Sequence, residues 1–105
     1  MKSGDIWLAQ LDPTVGSKIQ KTRPCVVISP DEMNAHLRTV IVAPMVTGSM
    51  PARFRIPLTF QGKQGLIVLD LIRTLDKARL VKRLGALRSA TLTTTLRTLQ
   101  DMFAP

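Results

Sequence analysis

Gly4–Pro24 reads GDIWLAQLDPTVGSKIQKTRP. In Asp5–Leu11, Ile6, Leu8 and Gln10 alternate with Trp7, Ala9 and Leu11, the two-residue period of a strand that is at least half buried. Asp12-Pro13 ends that pattern and opens a polar, Gly-containing, cationic loop. The loop closes at Arg23, held by Pro24 and the apolar run Cys25-Val26-Val27-Ile28 at the mouth of a second strand. A guanidinium set there adds nothing to burial. Its planar, permanently charged fork is suited to meeting an anion.

Reading outward, strands are expected at 5–11, 24–29, 38–46, 53–59 and 65–71, with a short one near 82–87. Val40-Ile41-Val42-Ala43 and Leu66-Ile67-Val68-Leu69 are unbroken apolar runs, which places them in central strands covered on both faces. Gln61-Gly62-Lys63-Gln64-Gly65 reads as a hairpin turn, and Pro30–Asn34 as a short helix or turn with acids at its positive end. At the C-terminus, Leu92, Leu96, Leu99 and Phe103 form one helical stripe, with Ser89 as its cap and Val81 and Leu84 beneath it. The expected architecture is a single domain, 1–105, of mostly β α+β class. It is a small, strongly curved, barrel-like antiparallel sheet with a terminal helix laid against it.

The chain has 105 residues, long enough for one core, and a formal charge of +8. Such an excess of cations favours polyanionic partners. No stretch reaches the ~20 apolar residues of a membrane span, and MKSGDIW lacks the apolar centre of a signal peptide, so a cytoplasmic protein with no membrane role is expected. One cysteine cannot close an intrachain disulfide; Cys25 reads as a small buried hydrophobe.

Several chemistries lack their residues. One histidine and one cysteine cannot make a closed zinc site, and the acids are scattered. Asp70 and Asp76, six residues apart on a strand, would stand about 20 Å from each other, too far to share a metal. No serine lies in a G-x-S-x-G elbow, and His36 reads as a surface residue ending a short helix. Neither metal nor cofactor is expected.

What remains is cationic and hydroxyl chemistry, and cleavage of RNA by its own 2′-hydroxyl suits it. The substrate carries the nucleophile, so the protein supplies charge stabilisation and proton management. Three positions could assemble such a site. Arg23 ends the first loop, and Thr47 follows a strand beside Gly48 and Ser49. Asp70 ends an apolar strand, where a carboxylate is either ion-paired with an arginine such as Arg23 or Arg73, or functional.

These positions lie in segments that resemble the MazF/PemK family of toxins from bacterial toxin–antitoxin pairs, the mRNA interferases. The matching pieces are Gly4–Gly16 (GDIWLAQLDPTVG), Thr22–Ser29 (TRPCVVIS), Val42–Ser49 (VAPMVTGS) and Gly65–Leu80 (GLIVLDLIRTLDKARL), in family order and spacing. The resemblance implies a CcdB-type, SH3-like barrel fold and a homodimer with single-stranded RNA across its two-fold groove. It also implies metal-independent, sequence-specific cleavage to a cyclic phosphate and a 5′-hydroxyl. By the same resemblance Arg23, Thr47 and Asp70 are the candidate catalytic residues. Ser17, Lys18, Gln20, Lys21, Ser49, Arg53 and Arg55 are the candidate RNA contacts, Arg53 and Arg55 sharing one strand face about 7 Å apart. Ser17 stands where some members carry a histidine, and Leu71 where a glutamine is usual.

The implied partner is an acidic, partly disordered antitoxin of the MazE kind, with operator DNA bound only together with it. Two other functions share this fold. One is a CcdB-like inhibitor of DNA gyrase, which needs no Arg/Thr/Asp set. The other is a nucleic-acid-binding co-regulator with an inactive site.

Overall fold

A computed structural model of the chain describes residues 1–11 and 21–105. The candidate residues Ser17, Lys18 and Gln20 lie outside the described residues. The elements are β1 (Asp5–Gln10), β2 (Thr22–Val27), α1 (Asp31–His36), β3 (Thr39–Thr47), β4 (Arg55–Phe60), β5 (Lys63–Val68), β6 (Arg73–Asp76), β7 (Leu80–Ala86) and α2 (Ser89–Phe103). Single 3-10 turns, Leu69–Leu71 and Lys77–Arg79, flank β6.

The strands form one antiparallel sheet in the order β4-β5-β3-β2-β1-β7. β4 and β7 stand at the ends of that order, which does not close on itself. β3, the longest strand, organises it. One edge pairs with β2 (Cys25↔Pro44 to Val27↔Val42); the other is shared, Thr39–Val42 pairing with β6 and Met45–Thr47 with β5. The apolar runs read as central strands are central: Val40, Val42 and Ala43 are at most 1% exposed, as are Ile67, Val68 and Leu69.

Strand alternation puts apolar side chains on both faces. Ile6, Val26, Ala43, Met45, Ile56, Ile67 and Leu69 build one cluster, against which Leu84, Leu99 and Met102 pack. Ala9, Cys25, Val27, Val40, Val42 and Leu75 build the other, flanked by Trp7, Leu11 and Leu80. Trp7 therefore belongs to core packing, although its indole Nε1 is buried with no hydrogen-bond partner among the described residues. Ser29 and Asn34, both 2% exposed, satisfy each other: the Ser29 hydroxyl donates to Asn34 Oδ1, and Asn34 Nδ2 donates to the Ser29 carbonyl. That exchange ties α1 to the end of β2.

Several expectations need correction. The strand read over 65–71 ends at Val68, and its remainder is the 3-10 turn Leu69–Leu71, so Asp70 sits on a turn rather than a strand end. β6 was not expected; Arg73-Thr74-Leu75-Asp76 buries only Leu75 and is too short and polar to announce itself. The hairpin turn is two residues, Gln61 (φ 51°) and Gly62 (φ 76°), with Phe60 opposite Lys63, so strand pairing begins at Lys63 instead of Gly65. Arg53 lies in a turn before β4, its guanidinium 5.0 Å from the Phe54 ring centroid, so Arg53 and Arg55 do not share a strand face.

On α2, Ser89 is the first helical residue rather than the cap, and the capping position, Arg88, makes no side-chain cap bond. The inward face centres on Thr95, fully buried with its hydroxyl donating to the Thr91 carbonyl at 2.8 Å, while Phe103 is 70% exposed. Leu84 packs on the same core cluster as Leu99 and Met102 of the helix, whereas Val81, also expected beneath it, is 50% exposed.

Candidate functional site

β2 pairs with β1 from Ile6↔Val26 to Gln10↔Thr22, yet its pairing with β3 begins only at Cys25↔Pro44. Thr22–Pro24 and Met45–Thr47 therefore part from one another, and a cleft of about 340 Å³ opens where they do. Phe60, Gln61 and Lys63–Gly65 of the β4–β5 hairpin form its remaining wall. Arg23 and Thr47, far apart in sequence, line this one cleft, and both are exposed to solvent.

The electrostatics follow from the lining. No acidic residue borders the cleft among the described residues. Arg23 donates from Nη1 to the Met45 carbonyl at 3.5 Å, a long bond that orients the guanidinium without neutralising it. Neither Asp70 nor any other described carboxylate pairs with it. The Thr47 hydroxyl likewise has no hydrogen bond among the described residues, leaving it available to a ligand. Behind Arg23, burial pushes the Cys25 thiol up to about 11, against the opposing pull of the Arg23 and Arg73 charges. Cys25 is a protonated, inert core residue at neutral pH.

Asp70 does not line the cleft. Its carboxylate is gripped by Arg55, Nε to Oδ1 and Nη2 to Oδ2, both at 3.3 Å. That two-pronged hydrogen bond holds the Asp70 carboxyl below its usual range, so it is ionised at neutral pH. The partner is neither Arg23 nor Arg73, because the 3-10 turn carries Asp70 toward the start of β4. Lys21 is exposed immediately before β2. Ser49 lines a second cleft, of about 360 Å³, with Gly48, Pro57 and Thr59. His36 is exposed at the end of α1.

Thr22, Gln61, Lys63 and Gln64 border the Arg23–Thr47 cleft and were not among the expected site residues. A signal for them existed in Phe60-Gln61-Gly62-Lys63: Gly at the second position of a two-residue turn places Lys63 in register opposite Phe60. A longer turn hides that. Among the described residues no three His, Cys, Asp or Glu side chains are grouped to hold a metal ion, and no helix is long and apolar enough to cross a membrane.

Residues 2–103 match the family model described as PemK-like, MazF-like toxin of type II toxin–antitoxin systems. The chain is 40% identical over 90 residues to endoribonuclease PemK of Escherichia coli, covering 80% of this chain and 68% of that protein. It is 37% identical over 90 residues to endoribonuclease MazF of Staphylococcus epidermidis, covering 80% and 75%. Among solved structures, a mycobacterial endoribonuclease in complex with its cognate antitoxin superposes with a TM-score of 0.81 at 19% identity, covering 100% of this chain and 97% of that one. The MazE–MazF complex of Deinococcus radiodurans does so with 0.81 at 21%, covering 97% and 94%. With a cleft that joins an unneutralised arginine to a free threonine hydroxyl, and a family match over nearly its whole length, the chain belongs to the PemK/MazF family of type II toxins.

Proposed function

We propose that the chain is an endoribonuclease toxin that cleaves single-stranded RNA at specific sequences, without a metal ion, in the cleft between β2, β3 and the β4–β5 hairpin. The observation that carries this reading is the convergence of Arg23 and Thr47 on a cleft with no acidic lining among the described residues. The relatives named as endoribonucleases support the substrate class.

The chemistry balances with groups the RNA and the cleft supply. The 2′-oxygen of the substrate attacks the adjacent phosphorus, the new 2′-O–P bond forms, and the P–O5′ bond breaks. The 2′-proton leaves and a proton is delivered to the 5′-oxygen, giving a 2′,3′-cyclic phosphate and a 5′-hydroxyl. Arg23 donates to the non-bridging oxygens as the phosphorus becomes five-coordinate, and such donors are worth about 3–4 kcal/mol each in a preorganised site. Thr47 hydrogen-bonds the reacting oxygens and passes a proton between them. Asp70, ionised and held by Arg55, acts as a hydrogen-bond acceptor for the substrate beyond the cleft rather than as an acid. Lys18, Lys21, Ser17, Gln20, Ser49, Arg53 and Arg55 supply the flanking RNA contacts, Lys18, Lys21 and Arg53 meeting the backbone.

The working form in this reading is a homodimer, neutralised by an acidic, partly disordered antitoxin. The +8 charge and the neighbours solved with their antitoxins support it. A strongly curved, barrel-like sheet is also proposed, supported by the way β3 divides one edge between β6 and β5. An RNA carrying one cleavage site, with 2′-deoxyribose placed only at the attacking sugar, tests the chemistry. The all-ribo strand is cut in EDTA and the substituted strand stays intact; cutting of the substituted strand would refute attack by the 2′-oxygen.

A further inference from the structure

We propose that Lys63 holds the phosphodiester next to the scissile one, making the β4–β5 hairpin a second phosphate subsite of the cleft. This rests on the endoribonuclease reading above.

The register supplies the geometry. Thr47 lies opposite Gly65 on β5, and Lys63 is two residues along the same strand, so Lys63 and Thr47 project from the same face of the sheet. The diagonal from Thr47 to Lys63 is about 7–8 Å between backbones. That is the order of the separation between successive phosphates of an extended single strand. Between them in register stands Gly65. Gly65 contributes no side chain between threonine and lysine; a Cβ there would sit 3.0 Å from the Val46 carbonyl oxygen and 3.7 Å from Leu58 Cδ2.

Charge supplies the second argument. Arg55 and Arg83 are each paired with a carboxylate, whereas Lys63 has no hydrogen bond or ion pair among the described residues. Among the described residues it shares a cleft without acids with Arg23, whose guanidinium meets one carbonyl. Two uncompensated cations facing one cleft repel each other unless an anion lies between them. A dinucleotide step offers one phosphate to each cation.

The test has a binding arm and a kinetic arm. In the first, a single-stranded 2′-O-methyl RNA, which cannot be cut, is titrated against wild type, Lys63→Ala and Lys63→Arg at several salt concentrations. Lys63→Ala is expected to bind about tenfold more weakly, with the slope of log K against log salt reduced by about 0.7; Lys63→Arg stays near wild type. In the second, a short RNA spanning a mapped cleavage site carries an uncharged methylphosphonate at one or the other flanking linkage. Lys63→Ala raises KM about tenfold on the natural strand with little change in kcat, and adds nothing once one particular flank is neutral. An unchanged salt slope, or a Lys63→Ala cost that persists with either flank neutral, would overturn the proposal. If wild type binds but cuts no RNA, the endoribonuclease reading fails, and the binding arm still judges Lys63.

Discussion

Arg23 has one long bond to a carbonyl and no counter-ion among the described residues, so its charge is available to a substrate phosphate. Thr47 stands across the same cleft with its hydroxyl unengaged among the described residues. Thr47→Ala is expected to lower turnover tenfold or more while KM for RNA changes little, because the hydroxyl acts on the reacting oxygens rather than on the bulk of the strand. Steady-state kinetics on a defined RNA decide this; unchanged turnover would remove Thr47 from the chemistry. Asp70 makes a different prediction, through pH. Its carboxyl is held below its usual value by Arg55, so the ionised form favours the folded state. That contribution is present above the unfolded carboxyl range, near pH 4, and is lost as pH falls through the lowered folded value. Asp70→Asn therefore lowers Tm at pH 7 only slightly, since the pair is 44% and 43% exposed, and that small deficit closes as pH falls down the acid limb. A large loss of Tm at neutral pH would contradict a surface pair.

At the scale of elements, α2 is seated on a glycine. Gly4 has φ +90°, and a Cβ there would meet Leu92 Cδ2 at 2.9 Å. Gly4→Ala is expected to destabilise the fold by about 2 kcal/mol, through both the backbone conformation and the crowded helix contact. In a domain of this size that is roughly a 10 °C drop in Tm. Cleavage measured well below the new Tm persists, because α2 contributes nothing to the cleft. How far such elements could be read from the chain depended on whether burial wrote itself into the side chains. β3 and β5 were legible because two-sided burial demands unbroken apolar runs, and the pairing of β5 with β4 followed from the turn between them. Thr95 was not, since a buried threonine that bonds its own helix carbonyl looks like a surface residue. β6 was not, because a four-residue strand anchored by Leu75 alone has no period to detect. Arg23 and Thr47 stood out as chemistry at strand ends. Lys63 was hidden by a turn taken as five residues where the structure uses two.

For the whole molecule, a charge of +8 on 105 residues is a large field. In the described ion pairs, Arg55 and Arg83 are neutralised within the chain, while the cleft keeps Arg23 and Lys63 without carboxylates. The distribution fits a surface that captures a polyanion and turns one part of it over. The most direct test is incubation of the purified protein with a long single-stranded transcript in excess EDTA, with wild type beside Arg23→Ala. Wild type is expected to cut at discrete sites. Arg23→Ala, with its melting curve retained, should be slower by on the order of 10²–10³-fold. Transcript left intact by a folded wild-type protein, or cut equally by both, would contradict the account.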